Sequence, residues 1–259
     1  TNLLRINRFS EVIWKTNSIS HHSIEIDSKG NLWYCSRNKE NIYTDELLSV
    51  STAVQKKSQD YNYLDDAIAC VNSNGEEIFR KSVTTILIEN GYRGLVLGAS
   101  PFFKDPIHLN DVQPAMYSTQ YWNEGDLLVS IRNRSTLFLY RPKTNNIIWL
   151  KTGPWLRQHD ADFLDSSRIG VFSNNMLEGI TPQRVMYEKV NTQYLFDFDD
   201  GTITKPFDSV FLEAGIRTGV EGGSNILENG DLFVEETAHG RLLRISKNSV
   251  IWEYTEPIN

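Results

Sequence analysis

The sequence predicts an all-β fold, a β-propeller of four-stranded blades, on three observations. Strand pairs separated by polar turns recur along the chain, the pairs come in two alternating kinds, and helical periodicity is scarce. Pairs of the first kind are "HHSIEIDSKGNLWYCSR" (21–37), "QHDADFLDSSRIGVFSN" (158–174) and "EGGSNILENGDLFVEET" (221–237), with "IHLNDVQPAMYSTQYWNEGDLLVSIR" (107–132) as the same unit with a longer connection. Each alternates apolar and polar residues, turns at a cluster of Gly, Asn, Asp or Ser, and alternates again.

Pairs of the second kind stand between them: 2–16, 66–82, 135–152, 185–200 and 241–255. Trp14, Phe79, Trp149, Phe196 and Trp252 take matching places in the second strand of these pairs, where large aromatics would fill the space between sheets. The chain therefore supplies an outer half-blade and four full blades, in one propeller domain spanning 1–259 with insertions at about 39–62 and 114–125. Because the pattern opens on an outer pair, it expects a larger ring with earlier blades upstream. Short helices are expected only at 44–57 and 83–91.

Composition excludes several functions. Forty per cent of the residues are hydrophobic, 23% are charged and the net charge is −7, with no cluster of Lys and Arg to neutralise phosphates, so nucleic acid is not a partner. No apolar run is long enough for a membrane span. Cys35 and Cys70, the only two cysteines, form no metal or thioredoxin motif, and a bridge between them remains open.

The chain has five histidines, and His21, His108 and His159 each stand just before the innermost strand of a blade. Glu221 takes that place in the fourth, and Arg37, Arg132, Asn174 and Thr237 end the adjacent strands. Antiparallel pairing brings both sets to one face of the disc, around one mouth of the central channel. His239, in "TAHGR", reads as a turn residue. Three histidines and a carboxylate would suit Zn²⁺, but Arg37 and Arg132 oppose a cation, and planar guanidinium donors suit a sulfate, phosphate or carboxylate. The expected site binds an anion, with a histidine as nucleophile or general acid.

"DPIHLNDVQP", the run from "GDLLVSIRNR" to "GPWLRQHDADFL", and "GGSNILENGDLFVEE" resemble the bacterial arylsulfotransferase family, in its broad arylsulfotransferase-like branch. The likeness rests on His108-x-Asn110, the strand ending Ser130 to Arg132, the turn from Trp149 to Trp155, Gln158-His159 and the double histidine His21-His22. The resemblance implies a six-bladed propeller in the periplasm that moves a sulfuryl group from a phenolic sulfate ester to a phenol, without the nucleotide donor PAPS, by ping-pong kinetics and with no cofactor or metal. It implies His159 as the residue transiently sulfated, His108 and Arg132 as groups that hold the sulfuryl oxygens, and His21 or His22 as the upstream histidine. The repeat phase favours His21, six residues before Asp27 as His159 is before Asp165. Asn110, His22, Arg37, Asn174 and Glu221 are the expected substrate-binding residues. The resemblance implies a homodimer with a contribution from the upstream blades. Two other readings stay open: a non-catalytic propeller that binds an anion or a partner, and a metal-dependent hydrolase or lyase using the three histidines with Glu221. In this sequence the connection from His108 to Arg132 is long, and "VSIRNR" sets Ile131 between Ser130 and Arg132.

Overall fold

A computed structural model of the chain describes residues 2–38, 64–98, 104–177 and 185–257. Strands β1 (Leu4–Ile6) and β2 (Val12–Lys15) form an antiparallel pair, and four sheets of four strands follow. The first sheet holds β3 (Ile19–Ile26), β4 (Leu32–Arg37), β5 (Asp66–Val71) and β6 (Glu77–Ser82). The second holds β7 (Leu109–Pro114), β8 (Leu127–Ile131), β9 (Thr136–Arg141) and β10 (Asn146–Thr152). The third holds β11 (Asp160–Phe163) and β12 (Arg168–Ser173), then, past a small extra pair β13 (Met176–Leu177) and β14 (Val185–Met186), β15 (Thr192–Asp197) and β16 (Ile203–Thr204). The fourth holds β17 (Gly223–Ile226), β18 (Leu232–Glu236), β19 (Arg241–Ile245) and β20 (Val250–Thr255). All neighbours are antiparallel and in chain order, so these are the blades of a β-propeller preceded by a half-blade.

Short side chains make the turns. Asp27 Oδ1 accepts the N–H of Lys29 and of Asn31, both at 2.9 Å, and Gly30 at φ +81° completes the reversal between β3 and β4. Asp165 Oδ1 does the same for Ser167 (3.0 Å) and Arg168 (2.9 Å) between β11 and β12. The half-blade is docked by Trp14, whose indole N–H donates to the Ser73 carbonyl at 3.0 Å. Its ring lies so close over Gly75 that a Cβ there would approach it to 2.7 Å.

The innermost strands are neighbours, β3 against β7, β7 against β11 and β11 against β17. One side chain per junction stitches them to the next backbone. Ser23 Oγ accepts from Val112 N (3.1 Å), Asp111 Oδ2 from Ala161 N (2.9 Å), and Asp160 Oδ2 from Ser224 N (2.7 Å). Between blades the faces bury a continuous apolar filling. Cys35, Ile68, Val112, Val129 and Phe138 lie at the first junction, and Leu128, Leu139, Val171 and Tyr194 at the second. Each large side chain removed from water contributes about 1.5–3 kcal/mol.

Several sequence expectations change. The helix expected at 83–91 is α1 (Val83–Glu89), capped by Ser82 Oγ accepting from Thr85 N at 3.2 Å. Helices α2 (Arg93–Leu97) and α3 (Asp208–Ala214) were not expected. In the third blade, 185–186 belongs to the extra pair rather than to the outer hairpin, and Phe196 sits in the third strand, β15, because the fourth is only two residues long. Phe196 still meets Trp149 of the preceding blade, ring centroids 5.2 Å apart. The insertion at 39–62 and the helix expected at 44–57 lie outside the described residues. The insertion at 114–125 covers the junction between blades, with Trp122 buried against Phe163 (4.7 Å) and Phe198 (5.5 Å). Cys35 and Cys70 are both free and buried; Cys35 pairs in register with Ile68 and Cys70 with Trp33. Among the described residues no helix is long and apolar enough to cross a membrane.

Candidate active site

Three histidines come together, one within β3 and the others just before β7 and β11. His22, His108 and His159 bring ring nitrogens within 4.8 Å of one another. The ring of His22 lies 5.1 Å from that of His108 and 5.9 Å from that of His159. The backbone bulges there: the β3–β4 register slips between Ser20 and Ile24, the β7–β8 register slips between Leu109 and Asp111, and His22 and His108 take φ of +56° and +52°. His22, not His21, is therefore the member of the double histidine at the centre. His21 stands behind it, its Nδ1 2.8 Å from His22 Nδ1 and its Nε2 3.2 Å from the Ser36 carbonyl.

Hydrogen bonds fix the tautomers. The Asn174 amide donates to the carbonyls of Thr218 (3.0 Å) and Glu221 (2.8 Å), which turns its Oδ1 toward His159 Nδ1 at 2.6 Å. An amide oxygen only accepts, so the His159 proton is on Nδ1 and Nε2 keeps its lone pair. That lone pair meets the Glu221 N–H at 3.3 Å, a long contact easily exchanged for a substrate atom. His108 Nδ1 lies 2.6 Å from Asp105 Oδ2, whose other oxygen accepts the His108 N–H at 3.1 Å. His21 Nε2 donates to the Ser36 carbonyl and also lies 3.5 Å from the Asp66 carboxylate, and in neutral His21 the bare Nδ1 accepts from His22 Nδ1. All three central rings thus keep their Nδ1 protons on the scaffold and leave Nε2 free to act.

Electrostatics agree. Burial, and then the charges of Arg132 and His108, outweigh the Asn174 bond and lower His159 to about 4. Enclosure by protein, followed by the charges of His108, His21, His159 and Arg132, lowers His22 to about 3, although its ring opens on the cavity. Burial alone would raise Asp105, but the bond from His108 and the charges of His108 and Arg37 more than offset it and hold the carboxyl below its ordinary range. Arg132 is buried in the turn after β8, where its N–H donates to the His108 carbonyl at 3.0 Å. Its guanidinium donates to Asn133 Oδ1 at 3.2 Å.

The other expected residues divide. Asn110 is buried on the cavity wall, its amide donating to the Gln158 carbonyl at 2.5 Å. Gln158 is structural, donating to Ser130 Oγ (3.0 Å) and the Thr136 carbonyl (3.2 Å) between two blades. Glu221 and Thr237 line the cavity, and Glu221 reaches His159 through its backbone. Arg37 turns aside to pair with the buried Asp66 at 3.2 Å and borders a different cleft, with Lys15 and Arg80. His239 caps its turn against Glu236 at 2.9 Å.

Residue-by-residue reading missed Asp66 and Asp105, which orient the histidine side, and a belt of carboxylates below it. The histidine cavity, about 740 Å³, continues down a wall bearing Glu25, Asp111, Asp160, Asp162 and Glu235. Burial first, then mutual repulsion, pushes Asp160 to about 7 and Asp162 to about 6, and takes Asp111 well above the carboxylate range. Both features left traces in the sequence. Asp105 stands three residues before His108, and Asp160 and Asp162 share one face of an inner strand at period two.

A crystal structure of a Bacteroides caccae protein of unknown function is similar at 12% identity, over 98% of this chain and 90% of that one, with a TM-score of 0.48. The luciferin-regenerating enzyme matches at 12% over 92% and 76% (TM-score 0.45), and virginiamycin B lyase from Staphylococcus aureus at 13% over 92% and 71% (TM-score 0.41). Likeness at this level says nothing about what the chain does. No curated protein matches the sequence. The family profile described as arylsulfotransferase (ASST) matches residues 3–256, nearly the whole chain. With its propeller blades and convergent histidines, the chain belongs to the arylsulfotransferase family.

Proposed function

We propose that the protein transfers a sulfuryl group between phenols, without a nucleotide donor, through a sulfated His159. The observation that carries this reading is the unprotonated Nε2 of His159, aimed into the cavity by the Asn174 hydrogen bond and flanked by His22, His108 and the Arg132 charge. His159 Nε2 attacks the sulfur of an aryl sulfate, the N–S bond forms as the aryl O–S bond breaks, and the phenolate leaves. His108, held at Nδ1 by Asp105, delivers a proton from Nε2 to the departing oxygen. An acceptor phenol returns that proton to His108, its oxygen attacks sulfur, and the N–S bond breaks to free His159. Arg132 and the protonated His108 supply preorganised positive charge for the sulfuryl oxygens. Two transfers through one covalent intermediate give ping-pong kinetics. The blades would form part of a six-bladed ring.

The test is release of 4-nitrophenol from 4-nitrophenyl sulfate by the full-length protein, with phenol as acceptor. Release should depend on phenol, and intact mass should show a sulfuryl adduct when phenol is withheld. His159→Ala should lower turnover by a factor on the order of 10³ or more with the fold intact. A folded wild type with neither adduct nor turnover on a panel of aryl sulfates would count against the reading.

One observation favours a second reading. Three imidazoles whose ring nitrogens converge within 4.8 Å would also, when neutral, be a ligand set for Zn²⁺ or a related ion. The set is completed by His22 rather than by Glu221, whose carboxylate does not belong to it. Stoichiometric metal in the purified protein, lost in His108→Ala, would move the function to metal-assisted chemistry.

A further inference from the structure

We infer that Asn133 is a positioning residue that holds the anion-binding charge of Arg132 and the Asp105–His108 pair in one frame. Its effect on the reaction rests on the sulfotransfer reading above; the frame itself stands on its hydrogen bonds.

Asn133 lies in the turn after β8, next to Arg132. Both ends of its side chain are used. Oδ1 accepts from Arg132 Nη1 at 3.2 Å and from Arg157 Nη1 at 3.3 Å, while Nδ2 donates to the Asp105 carbonyl at 2.7 Å. Guanidinium groups only donate and a carbonyl only accepts, so these partners fix which way the amide points. The backbone sets the same register. Arg132 N donates to the His108 carbonyl at 3.0 Å and Asn133 N to the Ile107 carbonyl at 3.1 Å.

Three parts of the proposed reaction meet on this amide. Arg132 brings positive charge to His159 and His22. Asp105, gripped at its carbonyl by Asn133, sets its carboxylate 2.6 Å from His108 Nδ1. Arg157 stands two residues before His159, at a φ of +52° that a residue with a β-carbon keeps only where its surroundings hold it. Its N–H donates to Ser135 Oγ at 3.1 Å, so its backbone and its guanidinium are both tied to the turn that carries Asn133.

The chemistry calls for asparagine. Two guanidinium groups drawn to one place repel each other, and an amide oxygen with two lone pairs can serve both and offset that repulsion. A carboxylate would also accept from both. It would, however, turn a second oxygen on the Asp105 carbonyl and offset the charge that Arg132 presents to a substrate. Alanine would serve neither the guanidinium groups nor the carbonyl.

Binding of inorganic sulfate should be measured calorimetrically in the wild type, Asn133→Ala, Arg132→Ala and the double variant. Asn133→Ala should weaken sulfate about tenfold. In the Arg132→Ala background the same substitution should change affinity by less than about twofold, a non-additivity that a merely structural residue would not show. Turnover reads the other arm. Phenyl sulfate, whose leaving group needs the proton from His108, should be slowed about tenfold more by Asn133→Ala than 4-nitrophenyl sulfate, whose leaving group does not. If Asn133→Ala melts early, the isosteric Asn133→Asp should weaken sulfate in the same direction. Additive losses in the sulfate cycle, equal slowing of the two esters, or a wild type that binds no sulfate would overturn the inference. A coupled loss of sulfate binding in a protein that turns over no aryl sulfate would count against the sulfotransfer reading and leave the frame standing.

Discussion

At the scale of single residues, the site works by assigning protons. Asn174 can only accept from His159, so it selects the tautomer with Nε2 bare. With His159 lowered to about 4, the nucleophile is neutral across the physiological range, and the acid limb of kcat/KM should appear only as pH drops through about 4. The Asn174 bond acts to raise that value against burial. Asn174→Ala should therefore move the acid limb to lower pH while cutting the rate, roughly 10–100-fold, a combination that simple misfolding would not produce. The carboxylates titrate in the opposite sense. Histidines whose folded value is depressed contribute stability that is present above about pH 6.5 and is lost as pH falls toward 4. Asp162, raised from 3.8 to about 6, costs nothing below 3.8, destabilises progressively as pH rises from there, and exacts its full cost above about 6. Asp162→Asn, which keeps an acceptor for Gln113, should raise stability by about 1–3 kcal/mol at pH 8 and leave it nearly unchanged at pH 4, as read by urea unfolding. The histidines of this site were legible because they recur at one repeat phase, but their order was not. Which of His21 and His22 reaches the centre depends on a bulge, and a count of residues back from Asp27 cannot see an unpaired position.

At the scale of elements, strand pairs were easy to read and irregular outer edges were not. Alternation and turn chemistry place β3–β4, β7–β8, β11–β12 and β17–β18 because buried inner strands must alternate to fill both junctions. The third blade departs from the pattern because its outer strand is only Ile203–Thr204 and α3 takes over the packing, burying Val210 and Phe211. The helix had signals: Asp208 in its first turn and Gly215 at φ +61° just past its end. An expectation of a further hairpin obscured them. The half-blade offers a test of docking by contact. Gly75 takes φ +81° and lies under the Trp14 ring, so Gly75→Ala meets both backbone strain and a clash. It should cost about 1–3 kcal/mol in global stability and bring Trp14 fluorescence closer to that of a solvated indole.

At the scale of the molecule, each blade is stabilised mainly by its neighbours, and the middle of the array should be its most rigid part. β8 and β9 are almost wholly buried, whereas β1 and β20 are exposed along their length. Amide exchange should be slowest in β8, β9 and β12 and fastest in β1, β2 and β20, with bound substrate slowing the inner strands β3, β7 and β11. The cavity is also polarised, with His22 and His159, under the charge of Arg132, at one end and carboxyl groups toward the other.

That polarity has an unexpected root in the stitches between inner strands. Asp111 and Asp160 each fasten one blade to the next through a backbone N–H, and each is also an ionisable group on the cavity wall. Cohesion and charge are therefore carried by the same atoms and vary together. Replacing either aspartate by alanine would loosen a seam and brighten the wall toward neutrality in one step. Asparagine alone separates the two, retaining the seam while erasing the charge. A lineage drifting toward uncharged acceptors has a narrow path open to it, and the chemistry such a channel tolerates is tethered to the way its blades hold hands.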